Sequence, residues 1–221
     1  MRVLVAHPGT QHAPRLAREL GSLELLGEFW TGFGLAEGAR LPMWLPGRLR
    51  GKLGARTLAG VPGERLRRVA WVELAALAAA RCGAEEERVL FWRNGVFQRA
   101  ISERSLEDSD AVIGFDTSSW ILADRCRRRG IPFLLEQTTP HSEASRAIYA
   151  DLARRFPDWP PEFGGKGDRV LAMEAREHAG ARLISVASTF SRGTLIEHGI
   201  EPQKIRVNPY GVDLDRFTPS A

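Results

Sequence analysis

Three short polar runs hold the side chains best suited to bind, ionise or move a proton. They are His7-Pro8-Gly9-Thr10-Gln11-His12, Asp116-Thr117-Ser118-Ser119 and Glu136-Gln137-Thr138-Thr139-Pro140-His141-Ser142. A carboxylate such as Asp116 can accept a hydrogen bond from a hydroxyl or draw off its proton. Asp116 and His141 are therefore the candidate catalytic groups. Gly9 permits a tight turn and close approach of a ligand to the backbone. The loop also opens a helix, whose free N–H groups and dipole attract phosphate. Pro8, Gly9, Thr10, Gln11 and His12 are accordingly the candidate anion loop. Glu136 and Gln137 close an apolar run, where a carboxylate is costly to bury unless paired; with Ser188 they are candidate ligand contacts. Capping competes with function at several of these positions. Thr10, Asp116–Ser119, Ser142 and Ser188 all suit a helix N-cap, and one residue can serve both purposes. His7 and His12 lack the four-residue helical spacing of paired metal ligands, so no metal is assigned.

The elements that must position these runs follow from apolar patterning. Val3–Ala6, Leu23–Phe33, Leu66–Val72, Ala111–Phe115, Ile131–Gln137, Leu183–Ala187 and Ile205–Asn208 read as strands. Helices are predicted over Gln11–Leu20 with Pro14 in the first turn, Glu73–Cys82, Glu85–Leu106, Ser119–Arg129, Ser142–Phe156, Asp168–Ala179 and Phe190–His198. Gly21 and Gly130 are the expected stops of the first and fourth. Strands that do not alternate, separated by helices, predict an α/β fold. It is a doubly wound, mostly parallel sheet of about seven strands with helices on both faces. In such sheets ligands sit beyond the carboxyl ends of the strands, where all three polar runs fall. Glu174, Arg176 and Glu177 share a helix and read as a solvated, salt-bridged face or as a functional acidic one.

At 221 residues, with 43% hydrophobic and 26% charged, the chain suits one globular domain. Its net charge of +4 is concentrated locally. From Arg40 to Arg68 there are eight Lys/Arg against one acid, interleaved with Trp44, Leu45, Leu49, Leu53 and Leu58. This is a solvated basic loop or a segment that lies on an anionic membrane surface, with Arg48, Arg50, Lys52 and Arg56 as the contacts. No nucleic-acid partner is expected, because the aromatics are scattered and form no stacking platform. Cys82 and Cys126 are too few for a disulfide scaffold, which points to a cytoplasmic setting. Gly32-Phe33-Gly34 begins a dinucleotide fingerprint, but Glu37 holds its third glycine position. The acid expected at the end of strand two is also missing, which argues against an oxidoreductase or methyltransferase.

The final segment carries the most specific pattern. Ser185-Val186-Ala187-Ser188 is followed by a short helix, then Ile205-Arg206-Val207, then Asn208-Pro209-Tyr210-Gly211-Val212-Asp213-Leu214-Asp215-Arg216-Phe217-Thr218-Pro219. It resembles the domain junction of family 4 glycosyltransferases, with its P-x-G-V-D-x-x-x-F-x-P hinge. The resemblance implies one half of a GT-B fold, with residues 1–207 as the N-terminal, acceptor-binding domain and 208–221 opening the hinge. It also implies a retaining transfer in glycan, polysaccharide or glycolipid synthesis. The first loop would face the sugar diphosphate, Asp116 the reacting sugar, and Glu136, Gln137 and Ser188 the acceptor. Expected partners are a nucleotide-sugar donor, a sugar or lipid-linked acceptor, and a C-terminal nucleotide-sugar domain in cis or as a second chain. No cofactor beyond the donor is implied. The alternative is a non-catalytic module that binds glycan or lipid.

Overall fold

Val3–His7 forms β1, buried along its whole length. A strand covered on both faces gains about 1.5–3 kcal/mol per large apolar side chain, so it has no use for polar alternation. In the computed structural model, which describes residues 1–221 apart from 10, 40–42, 44–46, 55, 159–166, 212–221 and the side chains of 49, 52 and 53, β1 is central. It pairs in parallel with β2 (Leu26–Thr31) on one side, Val5 opposite Phe29. On the other side is β6 (Ala111–Phe115), with Val5 opposite Ile113. The remaining strands of this sheet are β5 (Leu66–Arg68), β7 (Phe133–Gln137), β8 (Leu183–Val186) and β9 (Ile205–Val207). The spatial order β5-β2-β1-β6-β7-β8-β9 makes a seven-stranded, all-parallel sheet. The chain winds outward through β2 and β5, then crosses back to β6 and continues the other way. The reversal leaves a crevice beyond the ends of β1 and β6, the usual ligand position in such sheets.

Alternate residues of β1 face opposite layers. Val3 and Val5 pack with Ala13 and Ala17 of α1 (Ala13–Ser22), and with Leu58, Val61 and Phe115. Leu4 and Ala6 join Val112, Phe133 and Leu135, with Phe97 of α4 (Glu86–Ala100), Leu122 of α6 (Trp120–Arg129) and Leu195 of α9 (Thr189–Glu197). Helices thus cover both faces, as the patterning implied. Within the segment after β2, two-residue strands β3 (Leu35–Ala36) and β4 (Thr57–Leu58) pair in parallel, flanking α2 (Gly47–Gly54). The other helices are α3 (Ala70–Arg81), α5 (Glu103–Glu107), α7 (Ser142–Arg155) and α8 (Asp168–Gly180).

Four local expectations change. The third strand stops at Arg68: Val69 donates to Thr31 O at 3.0 Å, and Ala70 starts a helix. Val72 and Ala76, four apart, bury one face of α3 while Trp71 is exposed. That is helical, not strand, burial. The long helix over 85–106 is two. Ile101 turns extended (ψ 120), and Ser102 caps α5 by accepting from Ser105 N at 3.1 Å. Gly21 lies inside α1, and Glu24 takes the left-handed conformation (φ 57) after its end. His141, not Ser142, caps α7. Pro14 in the first turn and Gly130 (φ 69) at the end of α6 stand as expected.

Candidate active site

The loop after β1 and the loop after β6 meet at the crevice. His7, 6% exposed, turns back so that its Nδ1 accepts from Gly9 N at 3.1 Å. Its ring meets Phe115 edge-on, with centroids 4.7 Å apart. Burial, with the nearby Arg93 guanidinium, pushes its pKa down to about 4 against the Gly9 bond. His7 is therefore neutral near pH 7. His12, half-buried, packs on the same Phe115 at 5.0 Å and against Tyr210 at 4.8 Å. Burial lowers its pKa and the Asp116 carboxylate raises it. His12 Nε2 is buried with no hydrogen-bond partner among the described residues.

Asp116 is 7% exposed. Thr138 Oγ1 donates to both its oxygens, at 2.9 and 3.0 Å, and Thr139 Oγ1 to Oδ2 at 3.1 Å. The next residue, Thr117, has φ 60, a strained position for a β-branched side chain. Three bonds hold it and its neighbour there. Thr117 N donates to Glu177 Oε2 at 3.0 Å, Ser119 N donates to Glu177 Oε1 at 2.8 Å, and Asn94 Nδ2 donates to Thr117 O at 2.8 Å. Glu177 is fully buried, and burial pushes its pKa up to about 8, with Asp116 and Glu174 adding to the rise. Two glycines let these loops close. A Cβ on Gly32 would lie 2.6 Å from Pro8 O and from Glu73, and one on Gly114 would overlap Ser119 Oγ, which accepts from Phe115 N.

Glu136 lies half-buried at the end of β7, opposite Phe115 and Ser185. Burial raises its pKa, a Ser185 hydrogen bond lowers it, and Asp116 raises it again. Tyr210 packs against His12, so residues 208–211 return to the crevice, where burial first and then Glu136 and Asp116 raise the tyrosine's pKa. One wall thus gathers imidazole, carboxylates, threonine hydroxyls and a phenol. A neutral imidazole beside a carboxylate can take a proton from a hydroxyl and have the resulting cation stabilised.

A second cluster lies along α7, α8 and α9. Gln137, read from sequence as an acceptor contact, is buried. Its Nε2 donates to Glu174 Oε1 at 2.7 Å, and its Oε1 meets His178 Nε2 at 2.8 Å. Its amide is thus engaged inside the protein. Glu174 Oε2 accepts from Ser142 N at 3.0 Å. His141 Nδ1 accepts from Glu143 N at 3.2 Å, and its ring stacks on His198 at 4.2 Å. His141, Glu143, His178, His198, Glu201 and Lys204 line a groove of about 550 Å³. His141 therefore belongs to this cluster, not to the Asp116 loop.

Ser188 caps α9, accepting from Ser191 N at 3.1 Å. Gln11 is exposed, and Pro8 is buried at the loop's start. Thr10 and the hinge residues Val212–Pro219 lie outside the described residues, as do Arg40, Trp44 and Leu45 and the side chains of Leu49, Lys52 and Leu53. Arg48 is exposed on α2, Arg50 donates to Met43 O, and Arg56 stands over the Phe33 ring at 5.7 Å. Sequence reasoning gave His7 and Tyr210 no role at the crevice and did not foresee the burial of Glu174 and Glu177. Of Glu174, Arg176 and Glu177, only Arg176 is solvent-facing, paired with Asp124.

No protein-family model and no curated protein matches this sequence. Solved structures do. UGT2 of Phytolacca americana, complexed with UDP-2-fluoro-glucose and pterostilbene, aligns over 96% of this chain at TM-score 0.54 and 14% identity. A UDP-glucosyltransferase from Polygonum tinctorium aligns over 96% at 0.41 and 15%, and UDP-GlcNAc 2-epimerase from Neisseria meningitidis over 94% at 0.43 and 12%. The chain spans about half the length of these structures: 53%, 52% and 45% respectively. The fold is α/β and Rossmann-like, and it matches one half of a GT-B glycosyltransferase.

Proposed function

We propose that this chain is the acceptor-side half of a nucleotide-sugar-dependent glycosyltransferase. The observation that carries the reading is the packing of His12 on Phe115, the residue before Asp116, at the β1–β6 crevice of a GT-B-like half. In this reading the acceptor hydroxyl lies against His12 Nε2, which takes its proton as the glycosyl bond forms. Asp116 stabilises the imidazolium, and Thr138 and Thr139 fix the carboxylate. The helix opened by the first loop faces the leaving diphosphate, with Gly9 allowing backbone approach. Glu136 and Tyr210 border the acceptor. The donor binds chiefly to a second Rossmann-like domain, in cis or as a partner chain. A single displacement assisted by His12 inverts the anomeric centre, whereas the hinge resemblance implies retention, and product NMR decides between the two.

The experiment uses the full protein that carries this chain, assayed for transfer from a panel of UDP-, GDP- and ADP-sugars. Asp116→Asn is expected to cut kcat by about 10²–10³ with little change in donor KM. Calorimetry of the 221-residue chain alone is expected to show negligible heat with the same donors. Wild-type turnover in Asp116→Asn would refute the assignment, and tight donor binding by the isolated chain would refute the division of labour.

One observation favours a binding role alone. Trp71 and Trp92 are exposed, with ring centroids 6.4 Å apart, beside exposed Leu74 and Leu77. Such a face suits an amphiphilic glycolipid. Retained glycolipid affinity without transfer by the full protein would select this reading. Arg48, Arg50, Lys52 and Arg56 keep their proposed role at an anionic membrane surface under either.

A further inference from the structure

The groove away from the crevice gathers side chains of the kinds that ligate metals. His141, Glu143 and His198 each bring one ligand atom within 4.8 Å of the other two. They come from two helix ends, His141 and Glu143 at the start of α7 and His198 at the end of α9. Hydrogen bonds set both tautomers. A carbonyl only accepts, so His198 Nδ1 donates to Thr194 O at 2.7 Å. In the neutral ring its Nε2 then bears the lone pair, and it lies 3.6 Å from Glu143 Oε2. A backbone amide only donates, so His141 Nδ1 bears the lone pair of its neutral ring and accepts from Glu143 N. Its Nε2 lies 3.9 Å from Glu174 Oε2, a carboxylate that is 3% exposed. Each imidazole thus has its other nitrogen directed at an oxygen acceptor, the arrangement that orients and strengthens metal-bound histidine.

We propose that His141, Glu143 and His198 bind one divalent transition-metal ion, of the Zn2+ or Co2+ class, joining the start of α7 to the end of α9. Two imidazole nitrogens and one carboxylate suit borderline ions over Ca2+ or Mg2+, and three protein ligands leave a position for water or a small ligand. The two rings now stack with an interplanar angle of 12°. In that pose their in-plane lone pairs run side by side, so loading tilts one ring out of the stack. The bond from Glu143 N to His141 Nδ1 gives way to the metal, and one neutral hydrogen bond is a small loss beside three metal–ligand bonds. The clamp holds the turn from β7 to α7. That turn carries Thr138 and Thr139, whose hydroxyls hold Asp116. The ion therefore stiffens the crevice without entering it.

The test is titration of the 221-residue chain with Co2+, followed by visible absorption, and with Zn2+, followed by calorimetry. One ion per chain is expected. Glu143→Gln and His198→Gln are each expected to weaken binding at least about tenfold. Glu143 is exposed, so its variant keeps the fold, and circular dichroism verifies this for both. Glu201→Gln, elsewhere on the groove lining, is expected to leave affinity unchanged. Absence of saturable binding by the wild type, wild-type affinity in either ligand variant, or equal weakening by Glu201→Gln would each overturn the proposal.

Discussion

His7 and His12 at the crevice and His141 and His198 in the groove are the same residue type put to different ends. The crevice rings lie edge-on to Phe115, and burial lowers the pKa of both. The groove rings lie face to face, each with a nitrogen near a glutamate oxygen and with a second nitrogen engaged by backbone. An imidazole kept neutral beside one carboxylate is suited to moving a proton. Imidazoles converging on a carboxylate, with their outer nitrogens held, are suited to a cation. Residue type alone does not separate these uses; the company of each ring does.

The strongest way to break the contrast is through the buried glutamate that shapes the crevice. Glu177→Ala strands the amides of Thr117 and Ser119 and releases the strained turn. A loss of about 4 kcal/mol in urea unfolding is expected, at about 1–3 kcal/mol per unsatisfied buried group. A loss under about 1 kcal/mol would mean that Glu177 does not hold this loop.

Acid offers a slightly smaller effect. The folded-state pKa of His7 is depressed from 6.5 to about 4. Its contribution is complete above the unfolded value and disappears as pH falls from 6.5 to about 4, amounting to about 3 kcal/mol at most. Glu177, raised from 4.5 to about 8, acts in the opposite sense: its contribution is full below 4.5 and shrinks as pH rises to about 8. The difference between wild type and His7→Asn isolates the histidine, because asparagine can still accept from Gly9 N. That difference is expected to vary across pH 6.5–4, and a constant difference would count against burial as the cause.

The smallest expected effect concerns the basic segment around α2. Neutralising Arg48, Arg50, Lys52 and Arg56 to Gln is expected to reduce pelleting with anionic vesicles several-fold, because each basic side chain near the surface adds attraction to anionic lipid. It should leave the crevice and its histidine titrations unaltered. Unchanged pelleting would remove the membrane role.

Much of this architecture was legible in the chain. Each predicted strand falls within the central sheet, because a strand buried on both faces leaves an unbroken apolar run such as Ala111–Phe115. Asp116 at the tip of β6 could be read for the same reason. The third strand overran because Val69–Val72 is apolar in either conformation, and only Ala76, one helical turn on, shows which. Glu174 and Glu177 were not readable as buried. A Glu-x-x-Glu spacing beside Arg176 looks like a solvated face, and the amides that neutralise it belong to residues about 30 to 60 positions away. His141 and His198 meet across a comparable gap, where the start of α7 meets the end of α9 and His141 N donates to Thr194 Oγ1, which no local pattern encodes.

The central claim is that His12, held beside Asp116, is the proton acceptor for a glycosyl-transfer step. Acceptor-saturated turnover of the full protein against pH, for wild type, Asp116→Asn and His12→Ala, tests it most directly. Asp116 raises the pKa of His12, so the Asp116→Asn profile is expected to have its rising limb at lower pH and a plateau about 10²-fold lower. His12→Ala is expected to abolish that limb. A His12→Ala enzyme that keeps both the limb and the wild-type plateau would contradict the account.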